Sequence, residues 1–397
     1  MKNMDLNNGS PVVIFGAGKI GRFLFHWMEK HHQVRASAFC DNAIEKQGQL
    51  MEDIPVLALP EVCEKYGKKI TFVISVEELE LIKCQLQSCG DYTYCTVEDI
   101  LHPDELSGIH CQERQWIERR WQEHRLREHS EIFGLVTLDF VVTERCSLRC
   151  RECSNLMQYY EHPKDYDTGF LLESVDRVLE IFDEIYELRP IGGEPFMNRD
   201  LMKILEHMIR QPKIKRICIY TNGTIIPNVE TLKMMASSKK VWLSISNYGK
   251  LSKNLVPLTQ TLKDFDIEYE VKTIEYWTRC SSFKKHHRTM DNNKKIYDEC
   301  CARNLVTLQM GKIYPCPFIS NGLNLKALPL EDENCVDILA NTDIAQTKNL
   351  VKQMLHRPVY SLCDYCNGRP YKDLDENEKI IPCEQVEHVS FYERVGL

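Results

Sequence analysis

Three closely spaced cysteines constrain this chain more than any other feature of its sequence. Cys146, Cys150 and Cys153 have the spacing C-x3-C-x2-C. Three thiolates can hold three irons of a [4Fe–4S] cube and leave the fourth iron open, whereas an electron-transfer cluster normally takes four cysteines. Cysteine-rich loops also form tetrahedral zinc sites. The trio therefore predicts a metal centre and leaves iron–sulfur and zinc both open.

Length and charge narrow the class of protein. The 397 residues exceed the usual size of a single core, and the net charge of −8 comes from interspersed acidic and basic residues, without the basic surface that nucleic-acid binding requires. No apolar run approaches a membrane span, and the first residues lack the apolar core of a signal peptide. We therefore expect a cytoplasmic protein with no nucleic-acid or membrane partner. Its 18 cysteines are then expected in metal sites and packing rather than in disulfides.

The first hundred residues alternate between predicted strands and helices, which is typical of a doubly wound, Rossmann-like parallel sheet. Gly16, Gly18 and Gly21 form G-x-G-x-x-G between the first strand and the first helix. Asp41 follows the second strand, where an acidic side chain can bind a ribose. The same glycines also permit close packing of helix on strand. The pattern predicts the fold, and it leaves nucleotide or NAD(P) binding open against a domain that docks substrate or binds no ligand.

Three further motifs follow the cysteine trio in order: Gly192-Gly193-Glu194-Pro195, Tyr220-Thr221-Asn222-Gly223-Thr224 and Ser244-Ile245-Ser246. With the trio, and over roughly residues 135–390, they resemble the radical S-adenosylmethionine (radical SAM) enzymes. The resemblance implies a partial (β/α)6 barrel with its chemistry on loops at the carboxyl ends of the strands. It also implies that the three cysteines hold a [4Fe–4S] cluster whose open iron binds S-adenosylmethionine. The reduced cluster would then cleave that cofactor to a 5′-deoxyadenosyl radical.

The resemblance assigns the remaining cofactor contacts to the other motifs. Glu194 would accept a hydrogen bond from the cofactor's ammonium, and Gly192 and Gly193 would let the backbone approach closely. Asn222, Ser244 and Ser246 are placed to bond sugar or carboxylate oxygens, although hydroxyls beside a strand are often satisfied locally.

One position departs from the family pattern. Many members have an aromatic residue just before the third cysteine, where it packs on adenine, and this chain has Glu152 there. Adenine contacts are then expected elsewhere, from Tyr220 or from the backbone.

A second cysteine set lies in the last third of the chain. Its spacing resembles the auxiliary-cluster extension called SPASM or twitch, and it predicts one closed, four-cysteine [4Fe–4S] cluster on Cys301, Cys316, Cys363 and Cys366. Structural zinc on the same residues is the alternative.

Three details of this set stay open. Cys300 adjoins Cys301 and can replace it. The cysteine run of a full SPASM module is not continued, since position 372 is Lys, and this favours the shorter twitch form. Cys383 has no assigned partners.

The sequence thus predicts an α/β protein of several segments, with further helices over residues 170–186, 201–210 and 229–236. Apolar residues on one helical face, Ile185 among them, define the first of these helices. The polar stretch around Gln115 predicts a largely solvated connecting helix. The predicted segments are a Rossmann-like domain at 1–102, a helical linker at 103–134, the radical SAM core at 135–292 and the cysteine-rich extension at 293–397.

The predicted activity is hydrogen abstraction from a small polar substrate, followed by dehydrogenation or epimerisation. A sugar, aminocyclitol or nucleotide-sugar is the preferred class, because Ala17 and residues 40–42 resemble small Rossmann modules fused to sugar-modifying enzymes. Peptide modification of the SPASM type and a non-catalytic iron–sulfur sensor or scaffold are the alternatives. The chemistry implies a flavodoxin or ferredoxin reductant, for which the sequence shows no docking patch.

No catalytic donor or base is assigned from the sequence. The residues near the expected mouth are Glu275, Tyr276, Trp277, Cys280 and Cys300.

Overall fold

The computed structural model describes residues 6, 9–76, 79–101, 105–106, 111–274, 277–278, 283–303, 305–340, 342–369, 379–380 and 385–386. The chain divides into two compact units, Met1–His129 and Ser130–Leu397. The finer division into four segments remains a prediction. The described residues include no helix that is long and apolar enough to cross a membrane.

The first unit is built on a parallel sheet with the order β3-β4-β2-β1-β5-β6 among the described residues. Only β3 runs antiparallel to its neighbour, at the edge of the sheet. Its strands are β1 (Val12–Phe15), β2 (Ala38–Cys40), β3 (Leu50–Met51), β4 (Ile54–Leu57), β5 (Thr71–Ile74) and β6 (Thr93–Thr96), and its helices are α1 (Lys19–His32), α2 (Leu59–Tyr66), α3 (Leu79–Cys89), α4 (Val97–Ile100) and α5 (Cys111–Glu128).

Apolar side chains cover both faces of this sheet. On β1, Val12 and Ile14 pack into one buried cluster, which includes residues of α1 and α5. Val13 and Phe15 pack into another, which includes residues of α2 and α3. Because successive side chains of a strand point to opposite faces, a strand buried on both sides reads as a continuous apolar run. The predicted α/β fold is confirmed.

The prediction that the helix around Gln115 is largely solvated is wrong. This helix is α5, and its Ile117 is fully buried in the core of the first unit. Arg120 is also buried, with its Nε atom 3.4 Å from Oε1 of Glu98. A long arginine stem can cover apolar surface while its charge finds a partner, so a polar sequence can still form a buried face.

The second unit carries the larger sheet, with the order β11-β10-β9-β8-β7-β13-β14-β15 among the described residues. Strands β7 to β11 and β13 are parallel to their neighbours, while β14 and β15 are antiparallel additions. Its strands are β7 (Gly134–Thr143), β8 (Glu184–Gly192), β9 (Ile214–Thr221), β10 (Val241–Asn247), β11 (Glu268–Thr273), β12 (Trp277–Thr278), β13 (Thr307–Gln309), β14 (Lys312–Tyr314), β15 (Val336–Asp337) and β16 (Lys379–Ile380), and its helices are α6 (Thr168–Ile181), α7 (Leu201–Arg210), α8 (Val229–Ala236), α9 (Leu255–Asp264), α10 (Met290–Asp298), α11 (Pro317–Asn324) and α12 (Ile344–Leu355).

Helices α6 to α9 pack their apolar residues on one face of β7 to β11, in a single buried cluster. The helices predicted over residues 201–210 and 229–236 are observed with those bounds as α7 and α8. The helix predicted over 170–186 ends instead at Ile181, and Ile185 belongs to β8. Ile185 matched the apolar spacing of the helix by coincidence, because it lies in β8, which begins at Glu184. The partial (β/α)6 barrel remains a prediction.

In the glycine turn of the first unit, Gly21 is needed because the backbone of Gly16 packs against it. A Cβ on Gly21 would lie 1.9 Å from the carbonyl oxygen of Gly16, while a Cβ on Gly18 would meet nothing within 4 Å. Gly16 itself has a φ of +113°, in the region that favours glycine.

We therefore expect Gly21→Ala to lower the free energy of unfolding of the first unit by about 2 kcal/mol, because the added methyl group forces α1 away from β1. Gly18→Ala is the matched control, with an expected loss of at most about 1 kcal/mol because Gly18 is the N-cap residue of α1. Hydrogen exchange of peptides from β1 and α1 in urea measures both. Equal protection in the two variants would contradict this account of the turn.

Candidate functional site

Four predicted motifs meet at one edge of the larger sheet. The cysteine trio follows β7, Gly192 ends β8, Asn222 follows β9 and Ser246 lies near the end of β10. These strands are parallel neighbours, so their carboxyl ends are adjacent. Loops at such an edge are the usual place for catalysis in folds of this class.

The loop of the cysteine trio is packed and its sulfur atoms receive hydrogen bonds. Cys150 is buried, and Cys146 and Cys153 are half-buried beside it. The backbone N–H of Leu148 donates to Sγ of Cys146 at 3.5 Å, and Nε2 of Gln385 donates to Sγ of Cys150 at 3.6 Å. Such N–H groups suit the sulfurs of an iron–sulfur centre, whose potential depends on them.

Burial and the neighbouring cysteines raise the pKa values of these thiols. Burial, and then the neighbouring Cys153, raises the pKa of Cys146 well above its usual range. Burial, and then Cys150, raises the pKa of Cys153 to about 11. Three neighbouring thiolates are unfavourable unless bound cations compensate their charge, as the irons of a cluster would. Among the described residues, no group of three His, Cys, Asp or Glu side chains is arranged to hold a single metal ion.

Gly192 and Gly193 hold the end of β8 against the start of the cysteine loop. Their Cβ atoms would lie 2.1 Å from the carbonyl oxygens of Thr143 and Arg145, respectively. The N–H of Gly193 donates to Thr143 O at 3.1 Å, and the N–H of Glu194 donates to Arg145 O at 2.8 Å. The close approach predicted for these glycines thus occurs with the chain itself, and it positions the segment that leads to Cys146.

Glu194 has contacts that differ from the predicted cofactor contact. Its carboxylate is fully buried and accepts from the Thr221 hydroxyl at 2.9 Å, from the Asn222 N–H at 2.8 Å and from the Phe196 N–H at 3.3 Å. Burial raises the pKa of Glu194 to about 7, although these three donors oppose the rise. In this arrangement Glu194 holds the loop after β9 in place.

Asn222 connects that loop to the first cysteine. Its Nδ2 atom lies 3.8 Å from Sγ of Cys146 and 3.1 Å from Oγ of Ser147. Ser147 is also 2.5 Å from Oγ1 of Thr224, whose N–H donates to Oδ1 of Asn222. The sequence reasoning missed Ser147, which has no motif of its own and is identified only by its position between two motifs.

The two serines of β10 point to the face of the sheet opposite the helices. Ser244 is buried and donates to Oε1 of Glu270 at 2.8 Å, so it is satisfied locally. Ser246 lies opposite Lys272 in the register of β10 and β11, nearer the carboxyl edge. Lys272 is 2.5 Å from the same Glu270 oxygen. Of the two predicted serines, Ser246 is the one closer to the other motifs.

This opposite face, which the sequence reasoning missed, is polar and buried. Asp139, Glu187 and Arg189 lie on it with at most 5% of their surface exposed. Nε of Arg189 is 2.7 Å from Glu187, and Nη1 is 3.7 Å from Asp139. Burial raises the pKa of Asp139 to about 6, although Arg189 opposes the rise. Alternating polar residues on these strands are the signal that could have identified the face.

A second group of cysteines lines a cavity of about 570 Å³, open solvent at its mouth included: Cys300, Cys316, Cys363 and Cys366. Burial, and then the neighbouring Cys363, raises the pKa of Cys316 well above its usual range. Four thiols around one cavity are a suitable donor set for a closed cluster, whereas no three of these described side chains are arranged to hold a single zinc ion.

Cys301, which the sequence reasoning assigned to this set, does not line the cavity, and Cys300 takes its place. The backbone N–H of Cys301 is held by Arg369 O at 2.8 Å. Spacing alone cannot separate two adjacent cysteines, because the turn after α10 decides which of them faces inward. The other predicted positions Glu275, Tyr276, Cys280, Lys372 and Cys383 lie outside the described residues.

The glycine turn of the first unit already holds an anion. Asp41 accepts from the Ala17 N–H at 2.7 Å, from the Ala43 N–H at 2.9 Å and from Nζ of Lys46 at 3.1 Å. Backbone N–H groups at such a turn are the usual ligands of a nucleotide phosphate. Asp41 is thus bonded within its own turn, and nucleotide binding at this turn remains a prediction.

Comparison with known proteins identifies the core of the second unit. Residues 140–246 match the Radical SAM superfamily. This segment is a radical SAM domain. It implies a [4Fe–4S] cluster and S-adenosylmethionine binding, and the cysteine trio and the loops of Gly192 and Asn222 lie within it. Their individual roles remain predictions.

The chain is similar over part of its length to curated relatives. GTP 3′,8-cyclase of Clostridium acetobutylicum is 27% identical over 134 residues, which are 31% of this chain and 42% of that protein. GTP 3′,8-cyclase of Syntrophomonas wolfei is 33% identical over 92 residues, which are 21% of this chain and 26% of that protein. The chain thus spans less than half the length of these curated relatives. Among solved structures, native anSMEcpe with bound AdoMet is 13% identical with a TM-score of 0.39, over 66% of this chain and 94% of that one.

The buried contacts of Glu194 lead to a stability prediction. In Glu194→Gln the new amide N–H₂ faces the N–H of Asn222 or of Phe196, so one buried donor loses its acceptor. We expect the free energy of unfolding of the second unit to fall by about 1–3 kcal/mol. Glu230→Gln, on the exposed first turn of α8, is the control. Scanning calorimetry measures both, and a Glu194→Gln midpoint equal to the control's would contradict the role of Glu194 in holding the loop.

Proposed function

We propose that the chain is a cytoplasmic radical SAM enzyme that abstracts a hydrogen atom from a sugar, aminocyclitol or nucleotide-sugar. Cys146, Cys150 and Cys153 would hold the [4Fe–4S] cluster. That group, when reduced, supplies the electron that cleaves S-adenosylmethionine to the hydrogen-abstracting 5′-deoxyadenosyl radical. The product would be a dehydrogenated or an epimerised substrate.

The buried polar face of the sheet is the observation that carries the substrate class. Its charged members lie on the strands that lead into the loops of the radical SAM domain. Asp139, Glu187, Arg189 and Glu270 are buried, and the part-exposed Lys272 is paired with Glu270. Nη2 of Arg189 is buried and has no hydrogen-bond partner among the described residues. Buried polar groups need partners, and a molecule rich in hydroxyl or amino groups would supply them.

Residues of this chain would prepare the site in three ways. Asn222 and the N–H of Leu148 donate toward Cys146, which stabilises negative charge on its sulfur. Glu194 fixes the loop that carries Asn222. Lys272 and Ser244 both contact the carboxylate of Glu270. Lys272 and Glu270 would orient the oxygens or amines of the substrate.

A second [4Fe–4S] cluster of the twitch type is the other part of the proposal, on Cys300, Cys316, Cys363 and Cys366. Dehydrogenation of an alcohol removes one hydrogen atom, and then one electron and one proton. The second cluster would take that electron. Four protein ligands suit this role, since electron-transfer clusters are normally closed.

The names of the relatives suggest a rival substrate. GTP 3′,8-cyclases would imply GTP, but the matched segments cover less than half of those proteins. Peptide modification and a non-catalytic sensor or scaffold are the other rivals, and neither accounts for a buried charged face under the cofactor loops. GTP is therefore included in the test of activity.

Metal analysis tests the second cluster. We expect about eight irons per chain in the anaerobically reconstituted protein and in Cys301→Ala, and about four in Cys300→Ala, because only Cys300 lines the cavity. Iron and acid-labile sulfide are measured together with zinc. About four irons in the wild type, zinc in place of iron, or a loss in Cys301→Ala alone would each contradict the assignment.

Activity is tested with dithionite, S-adenosylmethionine and deuterated candidate substrates. We expect 5′-deoxyadenosine from the wild type and from Cys84→Ala, an exposed control, and none above background from Cys146→Ala. Deuterium should move from a sugar or aminocyclitol into 5′-deoxyadenosine. Transfer from GTP alone would contradict the substrate class, and no 5′-deoxyadenosine under any condition would contradict the catalytic function.

A further inference from the structure

We propose that the exposed basic segment at residues 284–288 is the docking surface for a small acidic one-electron carrier of the ferredoxin class. This inference rests on the second cluster of the proposed function. The segment reads Lys-Lys-His-His-Arg, and its first four residues are exposed.

The segment is fastened directly to the turn that carries two of the cavity cysteines. Asp364, which lies between Cys363 and Cys366, accepts from the N–H of His287 at 3.0 Å and from the N–H of Arg288 at 2.9 Å. The N–H of His286 donates to Asp364 O at 3.0 Å. Asp364 therefore fixes the basic segment to the turn that carries Cys363 and Cys366.

Arg288 makes the contact with the cysteine turn itself. Its Nη1 atom donates to Cys366 O at 2.9 Å and to Cys363 O at 3.4 Å. Next to it, Nζ of Lys285 lies 5.9 Å from the ring centroid of Tyr365. The charged groups of Arg288 and Lys285 thus lie beside the turn that carries Cys363 and Cys366.

The inner side of the same cavity reaches the radical SAM domain. Ser154, which directly follows Cys153, lines the cavity together with the four cysteines. The cavity of the proposed second cluster is therefore bounded by the residue after the cysteine trio and by the cysteine turn to which the basic segment is bonded. An electron that leaves the substrate would pass through the second cluster and leave the protein at this surface.

Charge complementarity selects the partner. The chain carries a net charge of −8, so its net charge disfavours association with an acidic protein. A local cluster of lysine and arginine charges is where such a protein can associate, and steering of this kind weakens as salt is added. In the transfer, the cluster loses one electron and the iron–sulfur centre of the carrier gains it, with no group or proton exchanged.

Binding of an oxidised acidic ferredoxin to the reconstituted full-length protein tests the surface. Isothermal titration at low and high ionic strength gives the dissociation constant for the wild type and for the double variant Lys284→Glu/Lys285→Glu. The control Lys233→Glu/Lys263→Glu makes the same change in net charge on α8 and α9. These helices pack on β10 and β11, at the end of the sheet opposite β13.

We expect the wild-type dissociation constant to rise about tenfold or more with salt, and the Lys284→Glu/Lys285→Glu variant to bind about tenfold more weakly at low salt. The control should stay within about twofold of the wild type. The inference would be overturned if the wild type did not bind the ferredoxin. It would also be overturned if the Lys284→Glu/Lys285→Glu variant and the control had equal dissociation constants.

Iron analysis of the same samples separates this inference from the proposed function. If the protein holds about eight irons per chain and the Lys284→Glu/Lys285→Glu variant binds ferredoxin as tightly as the wild type, only the docking surface is overturned. About four irons per chain would overturn the second cluster, and with it this inference.

Discussion

The close contact between the end of β8 and the start of the cysteine loop is the constraint on which the site depends. Two glycines let this backbone approach the carbonyl oxygens of Thr143 and Arg145, and the next residue, Glu194, extends the connection to the loop after β9. Three loops from three strands are thereby fixed relative to one another. A buried carboxylate with several donors is strongly held, since removing any partner leaves a buried group unsatisfied. The cysteine trio is therefore supported by hydrogen bonds that need no cofactor.

The sequence predicted the parts of the fold that have strong local signals. Helices α7 and α8 were predicted with their observed bounds because their apolar spacing is clear. The end of α6 was mispredicted because buried residues of β8 continued its apolar spacing. The polar face of the sheet was missed because its members come from four strands, and only the strand register brings Ser244 beside Glu270.

Residues of the site show the same limit. The motifs placed the loops of the cysteine trio, Gly192 and Asn222 at the carboxyl edge of the larger sheet. They did not show which contacts Glu194 makes. Spacing could not separate Cys300 from Cys301, since the decision lies in one turn of backbone. The sequence left nucleotide binding at Asp41 open, and it did not show that Asp41 accepts a hydrogen bond within its own glycine turn. In each case a residue's type was informative and its partner depended on tertiary structure.

The pairing of β13 with β7 determines how the cysteine-rich extension can vary. The extension adds its strand to the strand that leads into the cysteine trio, and Asp139 N–H donates to Val306 O at 2.8 Å. Without it, β7 would present a long unpaired edge of mostly buried residues, which is a template for aggregation. Shortened descendants of this protein would thus have to replace that strand rather than simply lose it. Evolution could exchange the metal ligands far more easily than the scaffold that carries them.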